Sequence, residues 1–262
     1  MSDQEDTSPA ADYDQFVDWG KRLRREATLF RWAFSLSGAH SVLDVGAGSA
    51  RHSLLFASWG MSVTAVDPDE SMLAQARINV AAAEKSLLAS GGNVRLVRGG
   101  FGELEGLTAE PFDALVCTGN ALPHVAGASG LRAAVKEFYQ VLAPGGVIVL
   151  HLLNHARLAG SRVRAVPPVV RDTDEGVKVF LRVIDYPQDG ESLDFDFVTL
   201  VRSKQGEWTL THRRSAHTFI PVDVLVAELS RSGFTGIEAF GNHERRPLEV
   251  EDDESVIVVA RK

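Results

Sequence analysis

Val42-Leu43-Asp44-Val45-Gly46-Ala47-Gly48-Ser49-Ala50-Arg51 decides the fold of this chain. An apolar strand runs into a glycine turn, and the turn opens a helix. Without a Cβ at Gly46 or Gly48 the chain can bend tightly and bring its backbone close to a nucleotide-like ligand, and a helix N-terminus follows. One helix downstream a second strand, over 62–66, ends in Asp67. A carboxylate at that place can grip a ribose diol.

The loop departs from two phosphate-binding patterns. The dinucleotide fingerprint G-x-G-x-x-G needs a third glycine where Arg51 stands, and the Lys-Ser/Thr ending of a P-loop is missing. A ligand with an adenosine-like end and no phosphate chain fits both departures, and S-adenosylmethionine is such a ligand. Asp44-Val45-Gly46-Ala47-Gly48 resembles the first motif of the class I, Rossmann-like S-adenosylmethionine-dependent methyltransferases. Asp67 falls where that family has its ribose-binding acid. The resemblance covers residues 38–152 and the last stretch of chain.

The periodicity on either side fits an α/β protein. Phe16, Trp19, Leu23, Leu29, Phe30, Ala33 and Phe34 recur at helical spacing and predict one or two N-terminal helices. Strands are expected over 42–45, 62–66, 94–97, 114–117 and 147–153. The helices between them include one capped by Asp69 and left through Gly91-Gly92. The last of these strands is almost continuously apolar, as a strand covered on both faces should be. The succession implies a doubly wound, mostly parallel sheet with right-handed crossovers. After residue 154 the pattern changes. Three strands are expected over 177–186, 192–203 and 207–219, with Asp189-Gly190 and Gln205-Gly206 as turns, so this insertion should be antiparallel. A helix over 222–232, stopped by Gly233, returns the chain to the main sheet. The family resemblance implies that the strands over 237–240 and 255–260 form an antiparallel hairpin at one edge, seven strands in all. The expected organisation is a disordered tail over 1–12, a cofactor-binding domain over 13–154 and 220–262, and an inserted substrate, lid or dimerisation subdomain over 155–219.

Composition narrows the function classes. The chain has 262 residues, 45% of them hydrophobic, enough for one large domain or a domain with an insertion. Its formal net charge of -8 argues against broad nucleic-acid binding, which needs phosphates neutralised. The one cysteine, Cys117, cannot form an intramolecular disulfide, which suits a cytoplasmic setting. Residues 2–12 lack the basic and apolar regions of a signal peptide, and no apolar run has the length of a membrane span. The acidic run over 249–254 lacks zinc-ligand spacing, and no metal is expected.

Ligands of an open α/β sheet bind outside the carboxyl ends of its strands. Read together, those ends offer Asp44, Gly46, Ala47 and Gly48 to the methionine and ribose portions, and Asp67, Pro68 and Met72 to the adenosine. The family often has an acid after strand three, near the adenine amino group. Here Gly100-Phe101-Gly102 stands in its place, so the backbone at Gly100 and Gly102 becomes the candidate contact, and Phe101 either packs on adenine or belongs to the core. Arg22 or Arg25, with Arg51 as a third candidate, could pair with the cofactor carboxylate, a task that suits a planar guanidinium.

Strand four ends in Cys117-Thr118-Gly119-Asn120-Ala121-Leu122-Pro123-His124, where Thr118 and Gly119 would border the cofactor. The Gly119-Asn120 pair followed by His124 resembles the corresponding motif of the glycine and sarcosine N-methyltransferases, as do Leu142-Ala143-Pro144-Gly145-Gly146, Asn154 and Pro167-Pro168. The Asn154 segment departs from that subgroup in having His155-Ala156-Arg157-Leu158 with no aromatic beside the asparagine. The resemblance implies methyl transfer to a small molecule, at an amine nitrogen, with S-adenosylhomocysteine as product. Asn120, His124 and Asn154 are the candidate catalytic residues, His124 being either a base or a loop residue satisfying backbone groups. Tyr13, Arg171, Arg182 and His217 are candidates for acceptor binding, the two arginines toward a carboxylate. The alternatives are O-methylation with His124 as base, methylation of RNA or protein, and cofactor binding without transfer. The inserted sheet is also the candidate homodimer contact.

Overall fold

Along the first strand, β1 (Ser41–Val45), adjacent side chains enter different cores. Val42 packs with Leu29, Phe30 and Phe56, whereas Leu43 and Val45 pack with Leu131, Val135 and Phe138. A strand apolar on both faces must be covered on both, and this alternation is what makes the sheet central. The computed structural model describes residues 14–107, 110–174 and 176–262. The tail expected over 1–12, and Tyr13, lie outside the described residues.

One face of the sheet is covered by α1 (Trp19–Ser35) and α2 (Arg51–Ala57), the other by α4 (Gly127–Val141) and α6 (Val222–Ser232). Between them in the chain come β2 (Ser62–Asp67), α3 (Glu70–Ser90), β3 (Asn93–Arg98), β4 (Phe112–Cys117) and β5 (Leu142–Leu153), and α6 is followed by β10 (Thr235–Phe240) and β11 (Ser255–Arg261). The seven strands are ordered β10-β11-β5-β4-β1-β2-β3. β1 to β5 pair in parallel, while β11 runs antiparallel to both β5 and β10, which confirms the edge hairpin. Asp69 caps α3 by accepting the Ser71 N–H at 2.8 Å, and Gly91 leaves it at φ 74.

The inserted sheet differs from expectation by one strand. It has four, β6 (Ala165–Thr173), β7 (Gly176–Asp185), β8 (Ser192–Ser203) and β9 (Trp208–Thr218), paired antiparallel in chain order. Pro167-Pro168 hides β6 in the sequence, because proline cannot donate to a ladder. The structure tolerates the pair because β6 is an edge strand and its register with β7 shifts between Val166 and Val169, at the prolines. A short helix, α5 (His155–Gly160), links β5 to this sheet.

Phe56 is fully buried and meets Phe30 and Phe34 edge-on at 4.9 and 5.0 Å. Phe56→Ala should destabilise the fold by about 3–5 kcal/mol, the range for deleting a buried aromatic ring. A urea titration would show it as a lowered midpoint with an unchanged slope.

Candidate functional site

Strand order reverses between β1 and β4, so the crevice at their carboxyl ends is where an open α/β sheet receives a ligand. Gly46 stands at its base with φ 69, and a Cβ there would lie 2.4 Å from the Cβ of Ala121. The glycine is needed for its conformation and for the close approach of the loop after β4. Gly46 and Ala47 both donate to the Val66 carbonyl, at 2.9 and 3.0 Å, which ties the turn to β2. A Cβ on Gly48 would lie 3.9 Å from the Met72 sulfur, so Met72 borders the loop.

Asp67 closes the next side. Its Oδ2 accepts the Gly48 N–H at 2.8 Å and its Oδ1 the Asp69 N–H at 2.9 Å. Each carboxylate oxygen can accept a second bond, so capacity for a diol remains on both. Burial raises the Asp67 pKa, and the two backbone donors oppose that rise. Pro68 lies exposed beside it, against Gly100.

Several expectations for this side need correction. Asp44 is not open to a ligand from solvent. It is buried, its Oδ2 accepts the Ser53 hydroxyl at 2.5 Å, and so it anchors α2 to β1. The N–H groups of Gly100 and Gly102 are engaged, the first by Glu103 at 2.9 Å and the second by the buried Glu137 at 2.7 Å. They are therefore not free for adenine. Phe101 packs edge-on against Phe138 at 6.0 Å, at the border of the core. Glu103 is an acid that the sequence reading missed. It lies one 3-residue turn beyond the expected place, and only the fold of the loop returns its carboxylate to Gly100.

A buried carboxylate node holds the first described residues against the glycine loop. Asp14 accepts from Trp19 at 3.1 Å, from Asn79 at 3.1 Å, from both Nε and Nη2 of Arg51 at 3.0 and 2.7 Å, and from the Ser49 hydroxyl. Arg51 is thus a clamp on Asp14 rather than a ligand for the cofactor. Arg22 is bound to Glu26 at 2.9 Å and lies 5.1 Å over Trp19, and Arg25 is largely exposed. Glu26 is fully buried and also meets His52 Nε2 at 2.6 Å and His243 Nε2 at 3.5 Å. Burial pushes its pKa up, but the His52 hydrogen bond and the charges of His52 and Arg22 outweigh it and hold the group ionised. Ligating atoms of Glu26, His151 and His243 come within 4.8 Å of one another. Arg22 and His52 already satisfy this carboxylate without a cation.

At the acceptor side, Thr118 is buried and Gly119 exposed. Asn120 sits at φ 67, accepts the Leu153 N–H at 3.0 Å, and places its Nδ2 3.1 Å from His217 Nδ1. The amide nitrogen can only donate, so His217 Nδ1 accepts and its proton sits on Nε2, a buried atom with no partner among the described residues. The His217 ring lies 4.4 Å from that of His124 and 4.5 Å from that of Phe195. Burial lowers the pKa of both histidines, His217 to about 3, and Arg213 lowers them further. His124 keeps an exposed edge. Asn154 is corrected outright. It is buried, caps α5 by accepting from Arg157 at 3.2 Å, and donates to the carbonyls of Val250 and Asp253 at 2.8 Å each. Both amide protons are therefore taken and the oxygen is engaged at the helix cap, in a buried position. From the inserted sheet, Arg171 donates to the Phe16 carbonyl at 3.1 Å, and Arg182 lies 4.9 Å over the Phe16 ring. Both therefore reach the segment that lies beside the glycine loop.

The methyltransferase-domain family model matches residues 42–146. The chain is 34% identical over 155 residues to a glycine/sarcosine N-methyltransferase of Parasynechococcus marenigrum (strain WH8102), covering 58% of this chain and 52% of that one. It is 27% identical over 173 residues to the glycine/sarcosine N-methyltransferase of Aphanothece halophytica, covering 61% and 63%. The chain thus spans about half to three-fifths of the length of these curated relatives. Among solved structures, the CcbJ methyltransferase of Streptomyces caelestis superposes with a TM-score of 0.75 at 24% identity, covering 96% of this chain and 95% of that one. The S-adenosylmethionine-bound amino pentose methyltransferase CalS10 of Micromonospora echinaspora superposes with 0.73 at 19% identity, covering 100% of both. The fold of this protein is that of the Rossmann-like methyltransferases. Among the described residues no helix is long and apolar enough to cross a membrane.

The buried histidines predict an acid-sensitive fold. Burial lowers the pKa of His155 to about 4 and that of His151 to about 3, while the unfolded chain titrates near 6.5. Both groups stabilise the fold fully above about pH 6.5, and that stability is lost as pH falls toward 4, because the unfolded chain takes up the protons first. Each should add up to about 1.4 kcal/mol per pH unit to the slope. Urea midpoints between pH 7 and 4.5 would measure it, and His155→Gln should flatten the curve.

Proposed function

We propose that this chain, matching a methyltransferase domain over 42–146, transfers a methyl group from S-adenosylmethionine to the nitrogen of a small-molecule amine. The observation that carries the reading is Asp67, whose two oxygens are aimed by backbone donors and keep capacity for a diol beside the Gly46–Gly48 turn. The turn at Gly46, where a Cβ would strike Ala121, suits a ligand that must lie against backbone. When bound, S-adenosylmethionine supplies a methyl group on a sulfonium and leaves as S-adenosylhomocysteine.

In this reading Gly46, Ala47 and Gly48 receive the ribose and methionine portions, Asp67 holds the ribose hydroxyls, and Pro68 and Met72 flank the adenosine. Glu103 replaces the Gly100 and Gly102 backbone as the partner of the adenine amino group. Thr118 and Gly119 border the reacting end. Arg22 serves the cofactor carboxylate from α1, and Asp14 keeps that helix docked. Asn120 and His124 face the acceptor, and residues 155–219 form the roof over it. An amine can lose its proton to water before transfer, so proximity and alignment are the main demand, worth up to roughly 7–11 kcal/mol. A cytoplasmic setting and a homodimer belong to the same reading. The single buried Cys117 supports the first, and the exposed Val170, Trp208 and Leu210 on the outer face of the inserted sheet support the second.

O-methylation is the second reading, and one observation favours it. The exposed ring of His124 lies on the acceptor side, 4.4 Å from that of His217, where an imidazole could take a proton from a hydroxyl acceptor. Rates with labelled cofactor and paired amine and phenol acceptors separate the two. Nitrogen transfer should survive His124→Gln with most of its kcat, whereas loss of roughly 10²–10⁴-fold would mark a general base and O-methylation. Separately, Asp67→Ala should weaken cofactor binding roughly 10- to 100-fold, the loss of hydrogen bonds to a charged group, with the melting temperature little changed. Calorimetry checks this, and unchanged affinity would remove Asp67 from the site.

A further inference from the structure

The helix that follows Asp67 is apolar on two sides. α3 has 21 residues, and its buried face carries Leu73, Ala76, Asn79 and Leu87. The opposite face holds Ala74, Ile78, Ala81, Lys85 and Leu88, all of them exposed. Ile78 is 63% exposed and Leu88 76%, the two most exposed large apolar side chains among the described residues. A helix on the surface of a folded domain should be polar on that side, and one that is apolar all round is a helix built to be covered.

Spacing and charge together select the cover. From 74 to 88 the steps along the exposed face are four, three, four and three residues, the repeat of a coiled-coil seam. A second helix fits such a seam. α3 carries four charged residues, Glu70, Arg77, Glu84 and Lys85, two of each sign and all exposed. Two copies of α3 laid antiparallel along their full length set Ile78 against Ala81 of the second copy, and Lys85 against its Ala74. Arg77 then meets Glu84 of the second copy, and the long side chain of Lys85 reaches toward its Glu70. A two-fold axis repeats both pairs, so each charge of the helix finds its opposite. Parallel copies would set each charge on its like. Arg77 lies 2.7 Å from Glu70 in its own helix, an exposed pair that contributes little, and its guanidinium has N–H groups for a second carboxylate. The alanines at 74 and 81 allow close approach, and a lysine within a seam fixes its register.

We propose that α3 is a contact between two copies of this chain, an antiparallel helix pair across a two-fold axis with Ile78 and Leu88 in its seam. This surface is separate from the outer face of the inserted sheet, and it does not depend on the methyl-transfer reading. A single helix pair about 30 Å long buries less area than a standard protein interface, so the association is reversible and depends on concentration.

The test is sedimentation equilibrium of the full chain over a range of concentrations. It is run on the wild type and on Trp208→Ser with Leu210→Ser, which removes apolar surface from the inserted sheet. Both should associate reversibly. In each, Ile78→Glu with Leu88→Glu should raise the dissociation constant at least roughly 100-fold, because both copies lose two buried apolar side chains. Arg77→Glu should raise it roughly 10-fold, and adding Glu84→Arg should restore it, because the swap re-forms the pair in the antiparallel register. All these positions are exposed, so melting temperatures should stay close to those of the parent proteins. A protein that stays monomeric throughout would overturn the proposal. So would an association unaffected by Ile78→Glu with Leu88→Glu and lost only with Trp208 and Leu210, which would leave the inserted sheet as the contact. A charge swap that fails to restore what Arg77→Glu removes would overturn the antiparallel register.

Discussion

A Cβ at position 46 would stand 2.4 Å from the Cβ of Ala121, and the site is built around that approach. It brings the turn after β1 against the loop after β4, where the strand order reverses. A side chain at 46 would push the loops apart, and with them Thr118, Gly119 and Asn120, which are held by the same loop. The Val66 carbonyl, receiving both Gly46 and Ala47, extends the constraint to β2 and so to Asp67. Three strand ends are thus coupled through backbone contacts that tolerate no substitution of volume.

Buried charge supports this backbone frame from behind. Glu26 joins α1 to α2 through His52, and to the loop after β10 through His243. Asp14 joins the start of the described chain to Ser49, Arg51 and Asn79. A lone carboxylate in either place would cost several kcal/mol, and each is offset by several donors. Both acids also tie down the start of α1, ahead of the apolar residues Leu29, Phe30, Ala33 and Phe34 that bury its later turns.

The legible parts of the fold were the local ones. Strand β1, the Asp69 cap and the Gly91 and Gly233 exits follow from periodicity and from residues with strong backbone preferences, and the closing hairpin follows from the family resemblance. β6 was illegible because Pro167-Pro168 contradicts a strand unless a register shift absorbs it, and a register shift belongs to the partner strand as much as to β6. The site divides in the same way. Gly46 and Asp67 stand at strand ends and could be read from the chain. Asn154 also stands at a strand end, yet the carbonyls of Val250 and Asp253, almost a hundred residues away, take its amide. Glu103 and Arg51 have partners that no spacing within their own segments encodes.

The sequence by itself determined the order of the parallel strands and of the helices between them, the turn at Gly46 and the acid at Asp67, because each depends on hydrophobic period or on one residue's backbone freedom. Only the tertiary structure decided which polar groups are spent and which face the crevice. A hydrogen-bonding group is available only if no distant donor or acceptor has claimed it, and a strand's two faces acquire meaning only when the sheet is placed. That is why Asn154 leaves the site, and why Arg51, one of the arginines considered for the cofactor, is spent on Asp14 instead.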